Sequence, residues 1–345
     1  MNKLFFYFLL LAPVIAYGQV KRYKACVIAF YNLENFFDTT DNPLVNDDDF
    51  TAGGIKHYTY DIYRDKVGKL ATVISLIAKE TTATGPALLG VAEIENDTVL
   101  NDLVHHPLIS HRYYQVIHYD SQDPRGIDVA LLYNPEIFIP EKAEKLFVQL
   151  PGNSKEASFT RDILYVTGWL AGERIHVYVN HWPSRRGGEE KSAPAREAAA
   201  TVCKNHMKTI LQSEPGAKMI VMGDLNDDPD SPSITKALAA RSGVTETKKG
   251  ELFNPWAALY AKGIGTLANR DAWGLFDQII ISDSWLNREQ TGFFYYNCHV
   301  FSRNFMRENS GRYKGYPMRT WDGNTYRGGY SDHFPTYIVL LKRLK

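Results

Sequence analysis

Polar side chains that can bind a cation or transfer a proton stand next to five separate apolar segments of the sequence. The apolar segments are Val27–Phe30, Leu88–Val91, Ile175–Val179, Met219–Met222 and Pro335–Leu341. The polar residues that adjoin them are Asn32, Glu93, His181, Asp224 with Asn226, and Asp332 with His333. Carboxylate and amide oxygens are the ligands that Mg²⁺ and Mn²⁺ prefer, and imidazole exchanges protons near neutral pH. The pattern therefore predicts a site for a hard divalent cation with two histidines beside it.

The five motifs are informative as a set. A single Glu at a strand end is usually a surface residue, and a single buried His usually has a structural role. In α/β folds, however, ligands bind beyond the strand ends, where several loops converge on one crevice. No thiolate belongs to the set, so the motifs do not suggest a structural zinc site.

The elements that must position these residues are short strands and amphipathic helices. Most of the apolar segments are continuous, which is typical of strands covered on both faces. Apolar residues spaced by three and four between Tyr63 and Ile77 predict one helix. A second helix is predicted from Ser192 to Leu211, with Pro194 in its first turn, and a third from Ser231.

Strands and helices alternate along the whole chain, which favours one α/β domain over residues 19–345. The alternative is a separate C-terminal module after Gly250. The sequence has no strong Pro-, Gly- or Ser-rich hinge at that position to favour this division.

Composition excludes several classes of protein. The chain has 345 residues, of which 44% are hydrophobic and 23% charged, so it can bury a large core and is not a disordered chain. Lys and Arg number 39 and Asp and Glu number 39, which argues against a strongly basic, non-specific nucleic-acid binder. Specific binding through a local basic patch stays open. Three cysteines are too few for a disulfide framework.

Residues 1–18 are predicted to be a secretory signal peptide. Lys3 precedes an uncharged, mainly apolar run from Leu4 to Ala16, and the small residues Ala16 and Gly18 suit cleavage before Gln19. The run is shorter than the roughly 20 residues that span a bilayer, so an uncleaved anchor is the less favoured alternative. We therefore expect export to the periplasm or out of the cell.

The motifs occur in an order that resembles the endonuclease/exonuclease/phosphatase superfamily, and especially its deoxyribonuclease-I-like branch. The most specific ones are Gly223-Asp224-Leu225-Asn226 and Ser331-Asp332-His333, and the resemblance extends from Phe30 to Pro335. It implies a four-layer αββα sandwich, in which two mostly antiparallel sheets are flanked by helices. The active site of such a fold lies at one end of the sandwich.

The resemblance also implies roles for individual residues. The metal-site residues, for one or two Mg²⁺ or Mn²⁺ ions, would be Asn32, Glu93 and Asp332. The catalytic residues would be His181, Asp224, Asn226, Asp277 and His333, with Asp277 as the carboxylate partner of His333. Asp128 is considered as support for His181. Arginines expected to contact phosphate or substrate are Arg125, Arg161, Arg185 and Arg186, and the segment Arg319–Tyr330 is expected to face the substrate.

These roles lead to a function as an expectation. The first hypothesis is a secreted, metal-dependent phosphodiester hydrolase, acting as a nuclease on DNA or RNA. The alternative is a phosphodiesterase or phosphatase for a lipid or a small phosphoester, similar to sphingomyelinases or inositol-phosphate phosphatases. A non-catalytic binding protein is the least favoured hypothesis. The sequence indicates no stable protein partner, and we expect a monomer.

Overall fold

Two β-sheets form the centre of the fold in the computed structural model, which describes residues 22–151 and 159–344. Most of the predicted strands are present, and several extend further than their apolar cores. In chain order the strands are β1 (Tyr23–Phe36), β2 (Leu88–Ile94), β3 (Gln115–His118), β4 (Asp128–Tyr133), β5 (Phe138–Leu146), β6 (Ile163–Leu170), β7 (Glu173–His181), β8 (Lys218–Asp224), β9 (Ala240–Arg241), β10 (Leu252–Phe253), β11 (Leu267–Asn269), β12 (Ala272–Gly274), β13 (Asp277–Ser282), β14 (Phe294–Val300), β15 (Trp321–Asp322), β16 (Thr325–Tyr326) and β17 (Thr336–Arg343).

The two sheets are mixed but mainly antiparallel. The first has the strand order β14-β17-β1-β2-β4-β3, and the second has the order β5-β6-β7-β8-β13-β10-β9. Parallel pairing occurs between β1 and β2, between β7 and β8, and between the short strands β9 and β10. Two small hairpins, β11–β12 and β15–β16, stand outside the sheets.

The longer helices cover the outer faces of the two sheets, and a single helical turn packs against the apolar residues between the sheets. They are α1 (Tyr60–Leu76), α2 (Asp97–Val104), α3 (Glu189–Ser213) and the single turn α4 (Ala257–Tyr260). Helices α1 and α2 pack on the outer face of the first sheet, and α3 packs on the outer face of the second. A third apolar cluster, which includes Phe30, Leu131 and Met222, fills the space between the sheets. The predicted sandwich of two sheets flanked by helices is confirmed.

The inner faces of the two sheets approach each other closely at Gly90. A Cβ atom at this position would lie 2.5 Å from the sulfur of Met222 and 3.1 Å from Cδ2 of Phe30, so a side chain there would require these neighbouring side chains to shift. Contacts of this kind keep β2 and β8 in a fixed relation. The residues that follow these two strands therefore meet with little freedom.

Local signals account for the helix boundaries. The Thr59 hydroxyl accepts a hydrogen bond from Ile62 N–H and caps α1, and the Asn96 side chain caps α2. Helix α3 begins at Glu189, three residues before the predicted start, with Pro194 inside it. The helix predicted from Ser231 is only one wide turn, Ser233–Ala237.

The chain after Gly250 is part of the same two sheets. Strand β13 pairs with β8, and β17 lies between β1 and β14. Strands from both ends of the chain therefore share one hydrogen-bonded ladder, and the division of the chain into domains stays a prediction.

Other sequence predictions meet the structure only in part. The predicted signal peptide lies outside the described residues. Among residues 22–151 and 159–344, no helix has the length and apolar character required to cross a bilayer. Cys26, Cys203 and Cys298 are all free thiols.

Candidate active site

The strand directions gather the motif residues at one edge of the sandwich. Asn32 and Glu93 lie near the C-terminal ends of the parallel strands β1 and β2, and His181 and Asp224 end the parallel strands β7 and β8. Asp277 opens β13, which runs antiparallel to β8 and pairs Asp277 with Asp224. A parallel pair ends at one edge, and an antiparallel neighbour begins there. The sheet topology therefore brings these side chains to the same edge of the sandwich.

His333 precedes β17 and joins this edge from the first sheet. Its backbone N–H donates to the Ser331 hydroxyl, which itself donates to the Asn32 carbonyl at 2.7 Å. The motif Ser331-Asp332-His333 is therefore anchored directly to the end of β1. The role of Ser331 was not predicted from the sequence.

Irregular backbone conformations orient several of these side chains toward the site. Glu93 lies in a β-bulge of β2 with φ of +59°, and Asn226 has φ of +50°. Non-glycine residues with positive φ are uncommon, and they cluster at functional sites. Gly223 allows β8 to approach β7, because a Cβ there would lie 2.2 Å from the Asn180 carbonyl oxygen. That close approach places Asp224 beside His181.

The shortest contact between catalytic candidates joins His333 and Asp277. His333 Nδ1 donates to Asp277 Oδ2 at 2.7 Å, and both residues are buried. His333 Nε2 points the other way and lies 3.8 Å from Asp224 Oδ2. A buried carboxylate on one ring nitrogen fixes the tautomer and directs the other nitrogen toward a reacting group.

A second set of contacts surrounds Glu93. Asn32 Nδ2 donates to Glu93 Oε1 at 3.2 Å and to Asp224 Oδ2 at 3.0 Å. His181 Nε2 lies 3.8 Å from the same two oxygens. The other Glu93 oxygen accepts from Asn35 N–H at 2.9 Å. The carboxylate of Glu93 from the first sheet and the carboxylate of Asp224 from the second sheet therefore have oxygen atoms within 4.8 Å of each other.

Burial and crowding shift the pKa values of this cluster in different directions. Burial raises the pKa of Asp224 to about 7, and the carboxylates of Asp277 and Glu93 add to the effect. Burial alone would lower the pKa of His333, but the charges of Asp277 and Asp224 outweigh it and raise the pKa well above its usual value. Burial and the nearby Arg161 lower the pKa of His181. The two histidines therefore have opposite charge preferences.

The donor set fits a divalent cation. Oxygens of Glu93 and Asp224 and a nitrogen of His181 all lie within 4.8 Å of one another. Asp332 stands beside them, with Oδ1 3.9 Å from His333 Nε2. Crowded carboxylates repel one another, and a bound cation relieves that repulsion. Oxygen-rich sets of this kind suit Mg²⁺ or Mn²⁺.

The structure places the predicted phosphate-binding arginines in different environments. Arg161 is buried and donates to Asp123 at 2.9 Å and to the carbonyl oxygens of His181 and Trp182 at 3.1 and 2.7 Å. These bonds give it a structural role in holding the end of β7. Arg125 is half exposed, and its Nε lies 3.6 Å from the same Asp123. Phosphate contact by Arg161 and Arg125 stays a prediction.

Arg185 and Arg186 also differ from each other. Arg185 donates to the Asn226 carbonyl at 2.9 Å, is paired with Asp227 and Asp228, and lies over the Phe276 ring. It therefore supports the loop that carries Asn226. Arg186 is exposed, so its guanidinium is accessible to a ligand.

Asp128 does not support His181, and this expectation is wrong. Its Oδ2 lies 3.4 Å from His118 Nε2, and its Oδ1 accepts from Ser121 N–H. His181 Nδ1 has no hydrogen-bond partner among the residues that the structure describes.

Sequence reasoning missed a buried pair beneath the site. The Glu34 carboxylate accepts from Thr320 N–H at 2.7 Å, and Lys66 donates to the Thr320 hydroxyl and to the Tyr330 carbonyl. Burial raises the pKa of Glu34 and lowers that of Lys66, and the opposite charges partly offset both shifts. The pair fastens the segment before Asp332 to β1 and α1. The sequence signal that could have identified Glu34 is its position two residues after Asn32.

A cleft of about 520 Å³ opens beside Asp332. Four arginines line it, and we call it the arginine cleft: Arg270, Arg312, Arg319 and Arg327. Arg319 and Arg327 belong to the segment that was expected to face the substrate. Arg270 and Arg312 come from segments that sequence reasoning did not single out.

The fold and this site define a class of protein: an αββα sandwich with a metal-compatible acid–histidine site at one end. A sequence profile described as the Endonuclease/Exonuclease/phosphatase family matches residues 27–342. The chain belongs to this family, whose members are phosphoester hydrolases that typically use divalent metals. No match was found among curated protein sequences.

Solved structures share the fold at low sequence identity. A family protein from Bacteroides thetaiotaomicron is 17% identical with a TM-score of 0.57, covering 94% of this chain and 100% of its own. A mannosyl-6-phosphatase from the same organism is 17% identical with a TM-score of 0.56, covering 91% of this chain and 99% of its own. TDP2 from D. rerio, complexed with a single-strand DNA product, is 11% identical with a TM-score of 0.52, covering 92% and 98%.

Proposed function

We propose that this chain is a divalent-metal-dependent phosphoester hydrolase. The observation that carries the proposal is the hydrogen bond between His333 and Asp277. The other ring nitrogen of His333 faces Asp224, and the Asn32 amide joins Asp224 to Glu93. Hydrolysis needs a positioned water, a donor beside the phosphate and neutralisation of its negative charge. The site offers a candidate for each of these requirements.

Each residue has a defined part in the proposed reaction. Asp224 orients the attacking water and accepts its proton, and Asn226 N–H fixes the other Asp224 oxygen at 3.0 Å. His333, held by Asp277, donates a hydrogen bond to the phosphate. The oxygen of water forms a bond to phosphorus and the bond to the alcohol oxygen breaks. That oxygen takes up a proton from solvent, and Asp224 returns the proton that it accepted to solvent.

Glu93, Asp332 and Asn32 are the residues that would hold the metal, with Asp224 and His181 beside them. A bound Mg²⁺ or Mn²⁺ ion supplies charge neutralisation at the nonbridging phosphate oxygens. Asn32 also holds Glu93 and Asp224 together through its amide group. His181 presents Nε2 to the same oxygens and is the second candidate for proton transfer.

Two substrate classes remain in this proposal. A nucleic acid is the first, as expected from the sequence, and a relative of the same fold has been crystallised with a single-strand DNA product. A small phosphoester is the second, and the bounded arginine cleft beside Asp332 favours it. A mannosyl-6-phosphatase with the same fold supports the second class. A lipid phosphoester is a further candidate of the second class and is included in the substrate assays described below.

We propose further that the protein is exported, as a single catalytic domain from residue 19 onward. The support is the sequence of residues 1–18, with Lys3, the apolar run and the small residues at its end. Mass determination of the protein from the producing cell's periplasm or medium tests this. A product that retains Met1 would contradict it.

The catalytic proposal is tested with purified protein and two generic reporters, p-nitrophenyl phosphate and bis-p-nitrophenyl phosphate. Plasmid DNA, structured RNA, sphingomyelin vesicles and an inositol polyphosphate are assayed in parallel. We expect hydrolysis that requires Mg²⁺ or Mn²⁺, stops with a chelator and is lost in His333→Ala. His105→Ala, an exposed histidine after α2, is the matched control. Absence of metal-dependent hydrolysis on every substrate would contradict the proposal.

A further inference from the structure

The arginine cleft has walls from three segments of the chain. The hairpin β11–β12 contributes Arg270, the segment 308–317 contributes Arg312, and the segment 319–332 contributes Arg319 and Arg327. Its volume of about 520 Å³ is in the range of small-ligand pockets. Asp332 is shared by the cleft and the proposed metal site, so a ligand in the cleft lies next to the reacting phosphate.

Hydrogen bonds order these walls without a ligand. The Tyr316 hydroxyl donates to Asp271 at 2.8 Å, which joins the segment 308–317 to the tip of the β11–β12 hairpin. Within the segment 308–317, Gly315 N–H donates to the Glu308 carbonyl at 2.8 Å, and Glu308 N–H donates to the Tyr316 carbonyl at 2.9 Å. On the opposite side, Arg327 N–H donates to the Thr320 carbonyl, and Lys69 holds the Gly328 carbonyl at 2.6 Å. The cleft is therefore pre-organised.

The charges in the cleft are poorly paired. Arg319 Nη2 lies 3.8 Å from Asp332 Oδ2, and Arg312 Nη2 lies 3.9 Å from Asp271, both beyond hydrogen-bond distance. Arg270 and Arg327 have no carboxylate within 4.0 Å in the part of the chain that the structure describes. Glu308 and Asp322 also line the cleft but do not bond these guanidinium groups.

This concentration of arginine is not a general property of the surface. The whole chain has equal numbers of basic and acidic side chains, 39 of each. Guanidinium groups with free N–H donors bind phosphate or carboxylate in a bidentate manner. Tyr313 and Tyr316 add aromatic surface to the same cleft, which suits the carbon skeleton of a small substrate.

We infer that the arginine cleft binds a second anionic group on the alcohol part of the substrate. The substrate class is then a compact phosphoester with two anionic groups, such as a sugar bisphosphate. The phosphate to be cleaved lies at Glu93 and His333, and the second anion lies between Arg270 and Arg327. This inference rests on the proposed hydrolase function and adds the substrate class. A cleft of about 520 Å³ suits one sugar-sized unit.

The test compares two substrates in two charge-removing variants. Fructose bisphosphate carries the second anion, and p-nitrophenyl phosphate lacks it. In Arg270→Gln and Arg327→Gln, the ratio of kcat/KM for the bisphosphate to kcat/KM for p-nitrophenyl phosphate should fall about tenfold, as for one lost charge-assisted contact. Arg288→Gln, at an exposed arginine in the segment between β13 and β14, should leave the ratio unchanged.

A binding measurement separates this inference from the proposed function. Calorimetric titration of fructose bisphosphate into metal-free protein needs no turnover, and Kd should rise about tenfold in both variants. An unchanged ratio and Kd, with wild-type hydrolysis of p-nitrophenyl phosphate intact, would overturn the inference and leave the hydrolase proposal standing. Single-stranded DNA cleaved in preference to the bisphosphate, with the same dependence on both arginines, would overturn the compact substrate class.

Discussion

His333 Nδ1 lies 2.7 Å from Asp277 Oδ2, although 56 residues separate them in the chain. The pair joins the two sheets, because Asp277 opens β13 in the second sheet and His333 precedes β17 in the first. Asp277 Oδ1 has no hydrogen-bond partner among the described residues, so the carboxylate is committed to the histidine. The geometry is that of a histidine held in one orientation by a buried acid.

We predict that His333→Ala lowers kcat by about 10²–10⁴-fold, the usual contribution of a positioned acid or base. Asp277→Asn should lower it by a similar order, because the amide no longer stabilises the charged imidazole. The double variant should be no worse than the more damaged single variant, since the two residues act as a unit. Steady-state kinetics on bis-p-nitrophenyl phosphate measure all three.

Thermal unfolding of each variant must accompany these kinetics, because both side chains are buried. A folded His333→Ala protein with wild-type kcat would remove His333 from the proposed reaction. Multiplicative losses in the double variant would show that His333 and Asp277 act separately.

Glu93→Gln tests the proposed metal site. The substitution keeps the shape of the side chain and removes the charge that faces His181 Nε2 at 3.8 Å and Asn32 Nδ2 at 3.2 Å. We expect the Mg²⁺ or Mn²⁺ concentration for half-maximal activity to rise about tenfold or more. Glu136→Gln, an exposed residue at the opposite end of the sheet, serves as the control. Identical metal titrations of Glu93→Gln and wild type would exclude Glu93 as a ligand.

The parts of the site that could be predicted from sequence are those next to strong strand signals. Glu93 and Asp224 follow buried strands, and the order of motifs matched a family whose fold fixes where those strands end. The alternation of strands and helices predicted an α/β fold, but the division into two facing sheets came only from the resemblance. Continuous apolar runs do not indicate which sheet a strand joins.

The remaining features depend on contacts between distant segments. Lys66 lies on the apolar face of α1, and only the fold brings it under Thr320. Arg161 could be recognised as a conspicuous arginine, but its burial against Asp123 depends on the packing of two loops. The assignment of Asp128 to His181 failed because β4 directs it toward His118 on the neighbouring strand β3.

Arg161→Met is predicted to destabilise the fold by about 3–5 kcal/mol, since it leaves the buried Asp123 carboxylate without its partner. The Arg161 guanidinium also holds two carbonyl oxygens at the end of β7, which Met cannot replace. Chemical denaturation followed by circular dichroism gives the free energy of unfolding. Arg125→Met is the matched control, because its half-exposed side chain faces the same Asp123 at 3.6 Å and should cost little. Equal stability of Arg161→Met and wild type would contradict the structural role.

His118 should stabilise the fold most at acidic pH. Its ring contacts Asp97 at 2.9 Å, Asp128 at 3.4 Å and, more distantly, Asp120 at 3.9 Å, and the side chain is buried. Burial alone would lower the pKa of His118, but Asp128 and Asp97 outweigh it and raise the pKa above its ordinary value. Because the folded state binds the proton more tightly, this stabilisation is complete below the unfolded pKa of about 6.5 and is lost as pH rises through the folded value.

His118→Asn should therefore lower Tm more at about pH 5.5 than at about pH 8.5, where the histidine is neutral. A loss of Tm in His118→Asn that is the same at both pH values would mean that the ring acts through packing and not through its charge.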